Sequence, residues 1–240
     1  MSEFNSRWVF FDAGDTFIYG YPTLYDALID CCREQGIEVA ASQVKQSVQA
    51  YFAQNPPIDF TRQDRFEAYF RALYRHLLTE AQYPPPLEPG VEYLWSEWRS
   101  ARRLRLFDDA RGAFRLLHEA GYRLGVISNW DDSFEGALKR LDAWEPFEIH
   151  IASCLVGLSK PDPAIFHHAL EMAQTQPSQS WYVGDQVDTD IEPAHQIGMK
   201  TVCVDYFDKV EPDEAAIANA HLPSISLAAW HIIQHDRRAA

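Results

Sequence analysis

The stretch that decides the fold is Trp8-Val9-Phe10-Phe11-Asp12-Ala13-Gly14-Asp15-Thr16, near the N-terminus of a 240-residue chain. Its first four residues are large and apolar without alternation, which is typical of a strand buried on both faces of a sheet. Polar residues follow at once, where such a strand ends. Because functional side chains in open α/β sheets lie at the carboxyl ends of the strands, Asp12 is the first candidate functional residue.

Further strand-like apolar runs follow in the second half of the chain, at 124–128, 148–152, 181–184 and 201–204. Helical patterns separate them. We predict helices from about Asp108 to Gly121, from Pro163 through Met172 and from about Asp190 to Ile197. Strands that alternate with helices predict an α/β fold with a doubly wound, Rossmann-like parallel sheet.

Residues 20–105 carry a different pattern, with helical periodicity and no convincing strand. Between 66 and 77, for example, apolar residues recur at spacings of three and four, as on one face of a helix. Pro56-Pro57 interrupts the pattern as a helix breaker. We therefore predict a core domain of residues 1–19 and 106–240, with an all-helical cap domain of residues 20–105 inserted into it.

Composition excludes some classes of partner. A formal net charge of −14 argues against nucleic acid and against anionic membranes. No apolar run approaches the roughly 20 residues that cross a bilayer. The segment 1–6 lacks the basic and then apolar order of a signal peptide, which predicts a cytoplasmic protein. An anionic substrate would need a local attraction, such as a metal ion.

Four short motifs stand at strand ends or in the loops after them: FDAGDT (11–16), ISN (127–129), GLSKPDPAIF (157–166) and VGDQVDTD (183–190). In this order they resemble the haloacid dehalogenase-like superfamily, in the branch that carries a helical cap after the first strand. The resemblance covers nearly the whole chain. The third and fourth motifs are the specific ones, since KPDP before an apolar helix and GD with a second aspartate five residues later rarely occur together by accident.

The resemblance implies a magnesium-dependent phosphatase. Asp12 would be the nucleophile, forming an aspartyl-phosphate that water hydrolyses. The carboxylates of Asp12, Asp185 and Asp190 and the backbone carbonyl of Gly14 would hold Mg²⁺, a cation that prefers oxygen ligands.

The same resemblance assigns the contacts to a small phosphorylated substrate. Ser128 and Lys160 would join Asp12 as catalytic residues, because they offer a hydrogen bond and a positive charge to the transferring phosphoryl group. Thr16, Ser128, Asn129 and Lys160 would bind the phosphate.

One position departs from the family pattern. Phosphatases of the superfamily carry a second aspartate two residues after the nucleophile, which protonates the leaving oxygen. Here that position is Gly14, and Asp15 stands where the family has glycine. Losing a positioned general acid costs about 10²–10⁴-fold in rate.

Three interpretations remain open. In the first, Asp15, His76 or Tyr21 supplies the proton, or the substrate has a good leaving group, as an acyl phosphate does. In the second, the enzyme cleaves a phosphonate C–P bond through a Schiff base on a cap lysine, and Lys45 is the only lysine of residues 20–105. Dehalogenation fits less well, because that branch is metal-free. In the third, the protein is catalytically weak and binds a phosphorylated metabolite or a partner.

Overall fold

A six-stranded parallel sheet forms the centre of the molecule. The computed structural model describes residues 7–21, 23–55 and 58–239. In sheet order the strands are β5 (Ile149–Ala152), β4 (Arg123–Ser128), β1 (Trp8–Phe11), β6 (Ser180–Gly184), β7 (Lys200–Val204) and β8 (Ala220–Leu222). All neighbouring pairs are parallel. Since β1 lies between β4 and β6, the carboxyl ends of these three strands lie side by side.

Helices cover both faces of the sheet. One face of β1 packs in a cluster with α5 (Ala110–Glu119) and α10 (Ile225–Ala239), and the other packs against α8 (Pro163–Ala173). Successive residues of a strand face opposite sides of the sheet. Because helices cover both sides of β1, each of its positions is buried and favours an apolar residue. The predicted doubly wound α/β sheet is therefore confirmed.

The remaining core helices are α6 (Phe134–Arg140), α7 (Ser153–Val156) and α9 (Glu192–Gln196). The helix predicted from Asp190 differs from the observed one, because residues 187–191 form a π-helical turn before α9 begins. α8 begins as the sequence indicates, with the Asp162 carboxylate accepting the N–H of Ala164 at 2.9 Å. β8 and α10 follow the last predicted strand. β8 has three residues, none of them fully buried, so it leaves no apolar run in the sequence.

Four helices lie between the first strand and the rest of the sheet: α1 (Leu24–Glu34), α2 (Ala41–Gln54), α3 (Gln63–Glu80) and α4 (Glu88–Arg99). Their buried residues form a hydrophobic cluster distinct from those around the sheet. On α3 the buried positions include Phe66, Leu73 and Leu77, at the predicted helical spacing. The division of the chain into two domains at residues 20 and 105 stays a prediction.

The ends of this helical insert differ from expectation. β2 (Ile18–Gly20) pairs antiparallel with β3 (Leu104–Leu106), so two short strands reach into the range expected to contain none. Three residues are too few to show the alternation by which a strand is recognised. This two-stranded ribbon joins the two points at which the chain passes between sheet and helices.

Two expectations fall outside the described residues: the one about a signal peptide, which depends on residues 1–6, and the helix break at Pro56-Pro57. Within the described ranges, no helix has both the length and the apolarity needed to cross a membrane.

Candidate active site

The loop after β1 fixes the first candidate residue. The N–H of Asp12 donates to the Val183 carbonyl at 2.8 Å, which continues the pairing of β1 with β6. The loop then closes tightly, because Ile18 donates to the Ala13 carbonyl at 2.9 Å and Asp15 donates to the Ile18 carbonyl at 2.7 Å. Asp15 has a φ of 51°, in the left-handed region that glycine adopts most easily.

A buried ammonium group joins three elements of the site. Lys160 Nζ donates to Asp12 Oδ1 at 2.5 Å, to Asp190 Oδ1 at 2.5 Å and to the Tyr182 hydroxyl at 3.2 Å, which uses all three of its protons. Burial disfavours the charge of Lys160, but the carboxylates of Asp12 and Asp190 outweigh burial and raise its pKa above the usual range. The site therefore contains a fixed positive charge against the carboxylate of Asp12.

The amide of Asn129 holds the backbone of Lys160. Its Nδ2 donates to the Lys160 carbonyl at 2.8 Å, and the Lys160 N–H donates to its Oδ1 at 2.9 Å. The peptide bond between Lys160 and Pro161 is cis. Asn129 follows β4, so this pair of hydrogen bonds links the Lys160 loop to the sheet. The structure gives Asn129 a positioning role, and its predicted contact with substrate stays a prediction.

The two hydroxyl groups expected near phosphate both lie against carboxylates. Ser128 Oγ donates to Asp12 Oδ1 at 3.2 Å. Thr16 Oγ1 lies 3.4 Å from Asp12 Oδ2 and 3.4 Å from Asp185 Oδ1, and its single proton can serve only one of them at a time. Thr16 is fully buried, whereas Ser128 reaches the wall of the adjoining cavity. Their predicted contacts with phosphate remain predictions.

Three carboxylates converge at the ends of β1 and β6. One oxygen each from Asp12, Asp185 and Asp190 lies within 4.8 Å of the others. Among the described residues, no lysine or arginine nitrogen lies within 4.0 Å of the Asp185 carboxylate, and burial together with the charges of Asp12 and Asp190 raises its pKa to about 8. If all three were ionised, Lys160 would leave two negative charges in excess. This oxygen-rich, under-neutralised group suits a divalent cation.

The π-helical turn after β6 places the third carboxylate. The Gln186 carbonyl accepts the N–H groups of Asp190 at 2.9 Å and Ile191 at 3.2 Å, and the Gln186 N–H donates to Asp190 Oδ2 at 3.2 Å. A Cβ atom at Gly184 would lie 2.5 Å from Asp190 Cβ. Only glycine at position 184 allows this approach, because real Cβ atoms do not come so close to other atoms.

A cavity of about 780 Å³ opens over the carboxylates, between the strand ends and the helical insert. This volume suits a small metabolite. From the core side it is lined by Asp12, Gly14, Asp15, Ser128, Asn129, Trp130 and Lys160. From the insert it is lined by Phe52, Asn55, Ile58, Phe60, Tyr69, Glu97, Trp98 and Arg103. Gly14 is thus at the cavity, and the role of its carbonyl as a metal ligand stays a prediction.

The three residues considered as substitutes for the general acid missing at Gly14 do not lie together at the cavity. Asp15 lines the cavity, but its Oδ2 lies 3.1 Å from Lys209 Nζ. Neither His76 nor Tyr21 is among the described residues that line the cavity. His76 lies within the helical insert, and Tyr21 is 63% exposed. Lys45 is exposed on α2 and is also absent from the described lining.

Tyr182 is a residue of the site that the sequence motifs missed, whereas Gly184 lies in the fourth motif (183–190) without a role assigned to it there. Tyr182 was included in the apolar run of β6, yet its hydroxyl contacts Lys160 and lies 3.3 Å from the Ile127 carbonyl. A tyrosine inside a fully buried strand needs a hydrogen-bond partner, and this was the signal available in the sequence. No such signal marks the aromatic residues of the insert, since aromatic residues also form its core.

Comparisons with known proteins agree with this arrangement. The profile of the family described as a haloacid dehalogenase-like hydrolase matches residues 7–198. The haloacid dehalogenase-like hydrolase domain-containing protein 3 of Bos taurus is 28% identical over 205 residues, which are 81% of this chain and 80% of that protein. The glyceraldehyde 3-phosphate phosphatase of Pyrococcus abyssi is 38% identical over 105 residues, 43% of this chain and 44% of the other.

A solved structure shows the same fold. The 2-haloacid dehalogenase of Pseudomonas syringae pv. Tomato DC3000 superposes with a TM-score of 0.67 at 23% identity, and the match covers 98% of this chain and all of the other. At this identity the likeness establishes the fold alone. The family profile extends over most of the chain and includes all four strand-end motifs. The chain therefore belongs to the haloacid dehalogenase-like hydrolases and is an enzyme of that family.

Proposed function

We propose that this hydrolase is a Mg²⁺-dependent phosphatase that acts on a small phosphorylated molecule through an aspartyl-phosphate on Asp12. The observation that carries the proposal is the contact of Asp12 with the buried cation of Lys160 inside a group of three carboxylates. A carboxylate that attacks a phosphoryl group needs this combination, because nucleophile and substrate are both negative. The phosphatase name of the Pyrococcus abyssi relative supports the same substrate class.

Each residue of the site has a separate role in the proposed reaction. Asp12 supplies the attacking oxygen, and Lys160 offsets negative charge on both Asp12 and the transferring phosphoryl group. Ser128, at the cavity wall, donates a hydrogen bond to a phosphate oxygen. Mg²⁺ held by Asp12, Asp185, Asp190 and the Gly14 carbonyl would offset the repulsion between carboxylate and phosphate. Water then hydrolyses the aspartyl-phosphate, which releases phosphate and restores Asp12.

The other interpretations find less support. Phosphonate cleavage needs a cap lysine beside the nucleophile, and Lys45 is an exposed residue outside the described lining of the cavity. A pure binding role needs neither a buried cation on Asp12 nor a nucleophile that faces the cavity. The cytoplasmic location expected from the sequence stays a prediction, as does the absence of nucleic-acid partners.

The test is hydrolysis of p-nitrophenyl phosphate and acetyl phosphate with Mg²⁺ and with excess chelator. We expect metal-dependent turnover that falls at least about 10³-fold in Asp12→Asn, because the nucleophile is removed. Asp142→Asn is the control, since the Asp142 side chain is 86% exposed and forms an ion pair with Arg111.

Phosphate release at equal rates from wild-type protein and Asp12→Asn would contradict the proposal. Thermal stabilisation by either phosphate compound with no turnover in any condition would instead establish a binding protein.

A further inference from the structure

We infer that the natural substrate is an aryl or acyl phosphate whose leaving group is a weak base and is otherwise apolar, with no charged substituent of its own. This inference rests on the proposed phosphatase function and specifies its substrate. Three separate features of the cavity point to it. The carboxylic acids of its lining are held in ion pairs, the side formed by the helical insert is aromatic, and the charge of Arg103 is balanced by acidic residues.

The first feature is that no unpaired carboxylic acid lines the cavity within the described residues. Besides Asp12, the carboxylic acids of the lining are Asp15 and Glu97. Asp15 Oδ2 pairs with Lys209 at 3.1 Å, and Glu97 Oε2 pairs with Arg103 at 2.7 Å. Each of these two carboxylates is thus already engaged by a cation, and neither stands free beside the leaving group.

A weakly basic leaving group removes the need for that proton. The bond from Asp12 oxygen to phosphorus forms, the bond from phosphorus to the leaving oxygen breaks, and that oxygen departs with the electron pair as a phenolate or carboxylate. An alkoxide leaving in the same way would be far less stable, which is why alkyl phosphates normally need a general acid. Gly14, at the position of the family's acid, is consistent with a substrate that does not require one.

The second feature is the aromatic wall that the insert presents. The rings of Phe52 and Tyr69 stack with centroids 6.2 Å apart and an angle of 10° between planes. Phe52 is 43% exposed, although it belongs to a helix with a buried face. Trp98 stacks on Trp130 at 5.1 Å, and this pair also lines the cavity. Exposed aromatic surface in a cavity suits a planar or apolar group in contact with it.

The third feature is Arg103, which is the second positively charged residue, after Lys160, among the described residues that line the cavity. Arg103 pairs with Glu97 and, through Nη2, with Asp30 at 3.0 Å. Its charge is already balanced, so a carboxylate or second phosphate on the leaving group would find no free partner there. Lys160 is committed to Asp12 and Asp190. A leaving group without an anionic substituent therefore fits this wall better than one that carries a carboxylate or second phosphate.

The position that lacks the acid can also be tested directly. Apart from its two chain neighbours, a Cβ atom built at Gly14 meets no atom within 4 Å, so the first atom of a new side chain has open space there. Gly14→Asp adds a carboxylic acid at the family's position. Gly14→Asn adds nearly the same volume without an ionisable proton, which makes it the matched control.

The experiment measures kcat/KM of the Mg²⁺-loaded protein for substituted phenyl phosphates and simple alkyl phosphates, plotted against the pKa of the leaving group. For the wild type we expect a steep fall, near tenfold per pKa unit, because the described lining offers no unpaired carboxylic acid to protonate the leaving oxygen. In Gly14→Asp the kcat/KM of alkyl phosphates should rise about 10²-fold or more relative to that of p-nitrophenyl phosphate, which makes the slope shallow. Gly14→Asn should keep the steep wild-type slope.

The charge of the leaving group is tested with a para-carboxylate phenyl phosphate and its neutral amide. We expect the carboxylate to raise KM at least about fivefold, because a buried anion without a partner is costly. Equal KM values would overturn the claim that the leaving group carries no charged substituent.

A shallow wild-type slope would overturn the claim about leaving-group basicity, even if Gly14→Asp fails to fold. If Asp15→Asn then made that slope steep, Asp15 would be the missing acid. Both outcomes leave metal-dependent turnover, and hence the proposed function, intact. Absence of turnover on every aryl and acyl phosphate would overturn the proposed function itself.

Discussion

The two walls of the cavity are built on different principles. On the core side, Lys160 and the carboxylates of Asp12 and Asp190 are nearly fully buried and connected by hydrogen bonds. On the insert side, Phe52, Tyr69 and Trp98 are held by ring contacts and remain partly exposed. Hydrogen bonds between buried charges fix atoms to within tenths of an ångström, whereas ring packing tolerates other rings of similar size.

This difference explains how one family can serve many substrates. Under the proposed function, the core wall would carry out the same phosphoryl chemistry whatever the leaving group is. The insert wall would contact the remainder of the substrate, so changes there would alter which substrate binds. We therefore expect substitutions on the core side to abolish turnover or stability, and substitutions on the insert side to change selectivity.

The largest effect is expected from Lys160→Met. Methionine has similar length without the charge, so Asp12 and Asp190 lose their buried cation. Breaking a buried ion pair on one side costs roughly 3–5 kcal/mol, and loss of the charge should lower kcat/KM by about 10³-fold. Urea unfolding without metal and turnover with Mg²⁺ measure the two effects.

Lys139→Met is the control for this change. Lys139 pairs with Glu135 on the surface, where both side chains are 56% exposed, so its loss should cost less than about 1 kcal/mol. If Lys160→Met were as stable as this control in metal-free buffer, the carboxylates of the site would not depend on the lysine for charge compensation.

The core wall was largely predictable from sequence because its residues stand at strand ends. Asp12, Ser128 and Asp185 follow apolar runs directly, and parallel strands bring such ends together. Lys160 carried a weaker signal, since it lies in a loop whose path depends on the amide of Asn129. The π-helical turn that places Asp190 was not predictable, because it shares its composition with an ordinary helix start.

A second, intermediate effect is expected from Gly184→Ala. The added Cβ would meet the side chain of Asp190 at 2.5–2.7 Å, so this carboxylate must shift from its observed position beside Asp12 and Asp185. Overpacking of this kind costs about 1–3 kcal/mol, and displacement of one candidate ligand should weaken Mg²⁺ binding about tenfold or more. Thermal unfolding and a Mg²⁺ titration of activity measure these changes.

Gly112→Ala is the matched control. Gly112 lies in α5 with open space at its Cβ, so alanine should stabilise the protein by about 0.5–1 kcal/mol through helix propensity. Unchanged Mg²⁺ affinity in Gly184→Ala would show that Asp190 does not need its observed position to support the metal.

The insert wall could not be predicted at the same level. The sequence indicated helices over residues 20–105, and α1 to α4 are present, but helical periodicity identifies only the buried face of each helix. Phe52 illustrates the limit: it follows the buried Tyr51 directly, and only the three-dimensional packing shows that its ring lines the cavity. The ribbon of β2 and β3 was not predicted, because each strand has only three residues, too few for an alternation of apolar and polar residues to be recognised.

The smallest effect, and the sharpest test of the contrast between the walls, is expected from Phe52→Ala. Removing a ring that lines the cavity should raise KM for phenyl phosphate about fivefold to tenfold, since an aromatic contact contributes about 0.5–1.5 kcal/mol. Acetyl phosphate has no ring to pack against Phe52, so its KM and kcat should change less than about twofold. Leu227→Ala, at a comparable exposure of 45% and outside the described lining of the cavity, controls for nonspecific loss of apolar surface. A fall in kcat for both substrates would mean that Phe52 affects the phosphoryl site itself, and the division of labour between the two walls would be wrong.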